Sequence, residues 1–260
     1  MKKTVFPLLL FLAAFALSCN DDAPAQKKTF RPVRMEEVSY KRELIYNPSG
    51  QVIEVVSESQ MPDKDVITTV QEFEYNGEGK IVSSNLDYKR HYQYTWKNDK
   101  IVKTEEFENG VPLNRFTFSY HSNGLIKEML TYKYENGSAT QVGKVTYAFD
   151  PSGNISSVKE FSFKDSAYSL ESIHEYDRYD NMPSVDSHFG FHTLNTGMQL
   201  HKNNPGRMVS RNKNGIAFSI EDYVYEYDVN GFVKKRESTI TFLHIGSTGS
   251  YETHYFFEPL

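Results

Sequence analysis

One short phrase recurs along most of the chain: an aromatic residue, a polar turn rich in Asn, Asp and Pro, a glycine, and an aliphatic residue two positions further on. It reads Tyr46-Asn-Pro-Ser-Gly50-Gln-Val52, Tyr75-Asn-Gly-Glu-Gly79-Lys-Ile81, Tyr120-His-Ser-Asn-Gly124-Leu-Ile126, Phe149-Asp-Pro-Ser-Gly153-Asn-Ile155 and Tyr227-Asp-Val-Asn-Gly231-Phe-Val233. Three weaker copies fill the gaps. Trp96-Lys-Asn-Asp-Lys-Ile101 is one residue shorter, Tyr176-Asp-Arg-Tyr-Asp180-Asn-Met182 lacks the glycine, and Asn203-Asn-Pro-Gly206-Arg-Met208 lacks the leading aromatic. The spacing, about 26 residues, is that of a structural repeat. Asn, Asp and Pro set up a tight turn and glycine takes the positive φ that closes it, so each phrase predicts a β-hairpin.

The segments entering the turns alternate with period two. Phe116, Phe118 and Tyr120 share one face against Thr117 and Ser119; Tyr92, Tyr94 and Trp96 oppose Gln93 and Thr95; Val145, Tyr147 and Phe149 repeat the pattern. The segments leaving the turns are more polar, with one aliphatic residue just after each turn. Eighteen Tyr and eighteen Phe agree with β-structure. Eight hairpins make an all-β antiparallel meander of about 16 strands, with an additional strand expected at Tyr251 to Phe257. Open sheets rarely exceed about 10 strands, and a circular barrel of about 16 leaves a channel that side chains cannot fill. A flattened or partly closed barrel-like sheet is therefore expected, aromatic faces inward. The reverse polarity, aromatics toward lipid, would call for aliphatic mid-strand residues and strands of about 9 to 11 residues. Here Tyr and Phe sit mid-strand and the strands look nearer seven or eight.

The first 19 residues read as an address. Lys2 and Lys3 precede an apolar run from Val5 to Leu17, shorter than the roughly 20 residues of a membrane-spanning helix. The chain's single cysteine, Cys19, closes that run and has no partner for an internal disulfide. The pattern resembles a bacterial lipoprotein signal, which implies cleavage before Cys19 and a lipid anchor on it. Asn20-Asp21-Asp22 resembles the acidic stretch that sends lipoproteins of the Bacteroidota to the outer face of the outer membrane. Residues 20–34 read as a polar tether and 35–260 as a single β-repeat domain. The formal charge is −5, and more negative without Lys2 and Lys3, which argues against nucleic acid as a partner.

The Tyr-Asp-x-x-Gly turn is similar to the YD repeats of RHS and teneurin-type proteins, whose strands coil into a shell; no cargo segment is present here. Lipoprotein signal, turn phrases and the segments Tyr179-Asp-Asn-Met-Pro183, His201-Lys-Asn-Asn-Pro205 and Tyr225-Glu-Tyr-Asp-Val-Asn-Gly231-Phe together resemble a Bacteroidota lipoprotein family of unknown function described as porin-like in fold. That resemblance implies a large rolled sheet and no activity.

No nucleophile elbow, phosphate loop, dinucleotide fingerprint or paired-cysteine zinc motif is found, and neither catalytic residue nor cofactor is expected. Gly246-Ser-Thr-Gly249 lacks the lysine and helix of a phosphate loop and reads as a turn. Residues Pro183 to Gln199 break the alternation and read as a surface or capping insertion. His188 and His192 within it, with His201 beyond, are too far apart on a strand for one metal ion, and Gly190 and Gly197 disfavour a helix. Asp165-Ser166-Ala167 resembles the O-glycosylation signal of Bacteroidota. Recognition is expected on connections opposite the glycine turns: Ser59 to Asp65, Glu108 to Leu113, Tyr134 to Gly143, Pro183 to Gln199 and Leu243 to Ser250, with Tyr132 and Tyr134 as the candidate ligand-binding residues. The expected function is a non-catalytic, surface-exposed lipoprotein binding a glycan or a protein partner. A carrier of an apolar ligand inside the sheet, or a polysaccharide-directed hydrolase using some of the many carboxylates, are the alternatives.

Overall fold

The structure, a computed structural model, describes residues 29–61, 64–191, 194 and 200–260. Residues 1–28, with the segment read as a signal, Cys19 and most of the stretch read as a tether, lie outside these, as does His192. Sixteen strands follow one another: β1 (Phe30–Glu37), β2 (Tyr40–Tyr46), β3 (Val52–Ser59), β4 (Ile67–Tyr75), β5 (Ile81–Leu86), β6 (Arg90–Lys97), β7 (Lys100–Glu108), β8 (Val111–Tyr120), β9 (Ile126–Glu135), β10 (Ser138–Phe149), β11 (Ile155–Lys164), β12 (Ala167–Asp177), β13 (Arg207–Asn212), β14 (Ala217–Tyr227), β15 (Val233–Phe242) and β16 (Ser247–Pro259). Each pairs antiparallel with its neighbours, and β16 pairs with β1 from Phe30↔Pro259 to Glu36↔His254, closing the barrel. Strand β1 begins inside the stretch assigned to the tether, so the folded unit starts at Phe30 rather than residue 35. The strands are also longer than the sequence suggested on one side, reaching 12 residues in β10 and 13 in β16.

The recurring phrase works as its chemistry requires. After β2, Asn47 Oδ1 accepts from the backbone N–H of Ser49 at 2.9 Å and of Gln51 at 3.0 Å. Gly50 N–H donates to the Asn47 carbonyl at 2.9 Å with φ +79°, a conformation costly for any residue with a Cβ. Asn76 and Asp228 do the same. A register shift beside each turn sets the leading aromatic opposite the aliphatic residue, as in Tyr75↔Ile81 and Tyr120↔Ile126.

The leading aromatic has a second role. Between successive hairpins the ladder stops short of the turn: β3 and β4 pair only from Glu54↔Glu72, so the Val52 carbonyl has no strand N–H to meet. Tyr75 Oη donates to it at 2.6 Å. Trp96 Nε1 serves the Ile81 carbonyl and Tyr120 Oη that of Ile101, and in the Tyr176 copy it is Tyr179, three residues after the leading aromatic, whose Oη serves that of Ile155, each at 2.6 Å. Phe149 holds the equivalent register, Phe149↔Ile155, yet has no hydroxyl to offer the Ile126 carbonyl. Phe149→Tyr is accordingly expected to stabilise the fold by about 0.5–1.5 kcal/mol, read by urea unfolding beside wild type. An unchanged or lowered midpoint would mean that this carbonyl is already satisfied.

Two copies of the phrase are not hairpins. The one at Tyr176 and the one at Asn203 are the two ends of a single connection, 178–206, which enters the barrel instead of turning back. A turn of the same chemistry that the recurring phrase does not capture, Asn212 to Gly215, joins β13 to β14 at the opposite end.

The aromatic stripes face the lumen. Tyr92, Tyr94, Phe116 and Phe118 are buried, together with Leu44, Val55, Phe73 and Tyr255. The outer wall carries ladders of charge: Lys41 with Glu43, Lys103 with Glu105, Arg207 with Asp222, and Lys235 with Glu226, Glu237 and Glu252. A lipid-facing Lys or Arg costs about 2–4 kcal/mol at the bilayer midplane, so this wall is made for water. Among the described residues no helix is long and apolar enough to cross a membrane.

Candidate functional site: a plugged, tyrosine-lined lumen

A barrel of 16 strands spaced about 4.8 Å apart and tilted by about 40° is roughly 30 Å across if circular, too wide for its own side chains. Connection 178–206 supplies the missing filling. Its two ends are stitched together by Asn204, which is buried. The Asn204 amide donates to Asp180 Oδ2 (3.2 Å) and the Pro183 carbonyl (3.2 Å), lies 3.1 Å from Tyr227 Oη, and its Oδ1 accepts from Val185 N–H at 2.8 Å. Tyr227 Oη donates to the same Asp180 carboxylate. Gly206 lets the returning strand pass Arg178, since a Cβ there would meet the Arg178 carbonyl at 2.6 Å.

Between these ends lies a single helical turn, α1 (Asp186–Phe189), stopped by Gly190. Gly190 ends the helix after one turn, and Gly197 lies outside the described residues. Val185 and Phe189 belong to the buried core; the Phe189 ring packs on Tyr255 (5.5 Å between centroids) and Phe257 (6.0 Å). On the other wall Phe191 meets Phe73 at 5.7 Å, its carbonyl accepts from Arg42 Nη2 at 2.5 Å, and the Leu194 carbonyl accepts from Thr104 Oγ1 at 2.9 Å. The described part of the segment expected as a surface or capping insertion, residues 183–191 and 194, is therefore an internal plug, entering from the end that carries the repeated turns.

Arg42 and Thr104, by touching the plug, fix which face of each strand looks inward. In register with them the lumen receives Arg236, Tyr223, Tyr225, Tyr251, Thr253, Tyr255 and Glu37 from β14, β15, β16 and β1, and Tyr176 from β12. Arg236 is the centre of this group. Its Nη2 lies 3.3 Å from Thr253 Oγ1 and 3.7 Å from Glu37 Oε1, and its guanidinium sits 5.6 Å from the Tyr223 ring centre. Tyr251 Oη donates to Glu221 Oε1 at 2.5 Å. Arg42 is a second inward cation; burial lowers its pKa, and its Nε has no hydrogen-bond partner among the described residues.

Asp186 projects from α1 into the field of these groups. It bears on Arg236, Tyr176, Tyr225, Tyr255 and His201, yet is itself solvent-exposed. Asp186 is exposed and Tyr176, Tyr223, Tyr225 and Arg236 are partly so, which means that water reaches this part of the lumen, the chamber above the plug. Burial, reinforced by Asp186, Glu221 and Glu160, pushes the Tyr176 phenol up to about 12, and burial likewise raises Tyr223, Tyr225 and Tyr255. These phenols stay protonated and can donate. Burial lowers the pKa of His188, and that of His201 despite Asp186, which keeps both rings uncharged at neutral pH.

The connections at the opposite end are mostly short. Asn109-Gly110, Asn136-Gly137 and Asp165-Ser166 are two-residue turns with positive φ at both positions. Of the stretches expected as recognition loops, Glu108 to Leu113 and Tyr134 to Gly143 are thus mostly strand and Leu243 to Ser250 is half strand, while the described part of Pro183 to Gln199 belongs to the other end; the 60–66 connection is the longest of those that remain. Gly246 lies in the β15–β16 turn at φ +62°, and Gly249 pairs with Ile240 in the strand.

Tyr132 and Tyr134 lie away from the lumen, on the outer wall. Tyr132 stacks under the Arg115 guanidinium at 4.4 Å and Tyr134 Oη donates to Glu105 Oε1 at 3.2 Å. Lys144 caps the neighbouring Tyr168 and Phe161 rings at 3.9 and 4.9 Å. Among the described residues no three His, Cys, Asp or Glu side chains converge as a metal site would need. Sequence reasoning passed over Arg236 and Asp186. Arg42 carried a visible signal, a cation on the inward stripe Tyr40, Arg42, Leu44, Tyr46.

A closed sixteen-stranded meander with a charged exterior and an internal plug has the porin-like barrel fold. The structure superposes on a porin-like protein from Bacteroides uniformis with a TM-score of 0.62 and 11% sequence identity, over 89% of this chain and 99% of that one, a likeness of fold. A porin-like protein from Bacteroides vulgatus aligns with a TM-score of 0.48 at 14% identity over 89% of this chain and all of its own. A DUF3836 family protein from Parabacteroides distasonis aligns over 28% of this chain and 72% of its own, at 25% identity and a TM-score of 0.25. No family model matches the sequence, and no curated protein matches it significantly.

Proposed function

We propose that the protein is a non-catalytic cell-envelope lipoprotein, anchored through Cys19, that binds an uncharged saccharide in the chamber above its plug. The observation that supports this most is the chamber's lining. Protonated phenols of Tyr176, Tyr223, Tyr225 and Tyr255 offer ring faces and hydroxyl donors, Arg236 offers further donors, and Asp186, Glu37 and Glu221 accept. Donors and acceptors over aromatic surface suit a ring bearing many hydroxyls, and the mixture of charges favours a neutral ligand over an ion. An apolar cargo would strand these groups without partners, which disfavours the chamber as a carrier site.

The test is a glycan array probed with the full chain, followed by calorimetry on any hit. Arg236→Met and Tyr223→Ala should each weaken binding tenfold or more, whereas Tyr132→Ala and Tyr134→Ala on the outer wall should leave it unchanged. A silent array, or loss of binding in the outer-wall variants alone, would overturn the chamber as the site.

A further inference from the structure

At the end carrying the repeated turns, a second cavity of about 430 Å³ opens between the plug and the wall. Phe30, Tyr46, Tyr75 and Trp96 line it from the wall, and His188 and Phe191 from the plug. Its wall residues run from β1 to β6, five strand spacings or roughly 24 Å of rim. Lined by residues of six successive strands, the cavity is a trough drawn out along the rim, a shape that suits a linear chain.

The polar atoms of the aromatic wall residues are already committed. Tyr46 Oη donates to the Pro32 carbonyl at 2.5 Å, and Tyr75 Oη and Trp96 Nε1 to the Val52 and Ile81 carbonyls at 2.6 Å, so these residues present ring carbon to the cavity. Both cations at the rim are neutralised: Arg31 pairs with Glu258 at 2.5 Å, and Lys80 with Asp99 at 2.8 Å and Glu78 at 3.0 Å. Nothing here calls for a charged headgroup. The site is also where the chain enters the barrel, since Phe30 is both the first strand residue and part of the lining. Ten residues lie between Cys19 and Phe30, and the eleven steps reach about 36 Å when extended.

We propose that this trough binds a single acyl chain, with the headgroup left in water. The site is distinct from the saccharide chamber and does not depend on it. Trp96 is the protein's only tryptophan, so its emission reports occupancy directly. The full chain is prepared in its unacylated Cys19→Ala form and titrated with stearate brominated at mid-chain, and with the methyl ester of the same acid. Saturable quenching of more than half the emission is expected, with similar midpoints for acid and ester, and with reversal by unbrominated stearate. Ser187→Phe, which fills the trough from an exposed position on the plug, should abolish quenching, and Gln51→Phe should do so from the wall. Absence of saturable quenching, or quenching that persists in both filled variants, would overturn the proposal. Comparison with the acylated wild-type chain identifies the source: protection of Trp96 there points to the protein's own anchor, and equal quenching to a separate lipid, an acyl chain being the ligand in either case.

Discussion

Phe189→Ala is expected to lower the unfolding free energy by about 3–5 kcal/mol, among the largest effects of any single truncation in this chain. Phe189 is 4% exposed and meets Tyr255 and Phe257 across the lumen, so the deletion opens a void that rigid strands cannot close. Urea unfolding followed through Trp96 emission measures it, with far-UV circular dichroism showing whether the strands persist. If the cost were below about 1 kcal/mol, the plug would be an appendage within an independently stable wall, and its description as the core of the barrel would be wrong. A single transition at a lowered midpoint would show that wall and plug unfold together.

Asn204→Ala should cost about 2–4 kcal/mol. Four contacts end on this one amide, and its removal leaves the Val185 N–H and part of the Asp180 carboxylate buried without partners, at about 1–3 kcal/mol each. Asn204→Asp is the sharper variant, because it keeps the shape and sets a second carboxylate against Asp180. Repulsion would raise a carboxyl pKa in the folded state alone, so the folded form would bind more protons than the unfolded one. The variant should therefore be weakest at pH 7 and recover stability relative to wild type as the pH falls through that raised pKa. Melting temperatures at pH 7 and pH 5 decide it: a deficit that does not shrink on acidification would remove Asp180 from the account.

Local chemistry was legible where a structural decision is local. The Asn47, Asn76 and Asp228 turns, the alternation of Phe116 and Phe118, and the inward direction of the aromatic stripes all follow from residues within a few positions of one another, and the structure has them as expected. The end of β12 resembles the start of another such turn, and Asn203 to Gly206 has a turn's composition. What sends the chain inward is instead the pairing of Asp180 with Asn204 and Tyr227, residues 24 and 47 positions away. Closure was undecidable for the same reason, since nothing near Phe30 announces Pro259. The chamber was obscured by a one-residue matter: in the run Lys234, Lys235, Arg236, the register shift at Glu226/Tyr227 determines which cation points inward. Tyr132 and Tyr134 alternate as cleanly as the luminal tyrosines, but their strand presents them to the other side.

The seam between first and last strands has a bearing on biogenesis. Arg31 and Glu258, 227 positions apart, clasp each other across it. Until the final dozen residues have been delivered, β1 and β15 both remain raw edges, open to pairing with any passing strand. The barrel therefore cannot ring shut until nearly the whole polypeptide has been synthesised, and closure is then a slow, long-range step. Loss of even a short C-terminal segment would leave a chain with nearly all of its interior residues and a permanent gap, prone to zip onto its own kind.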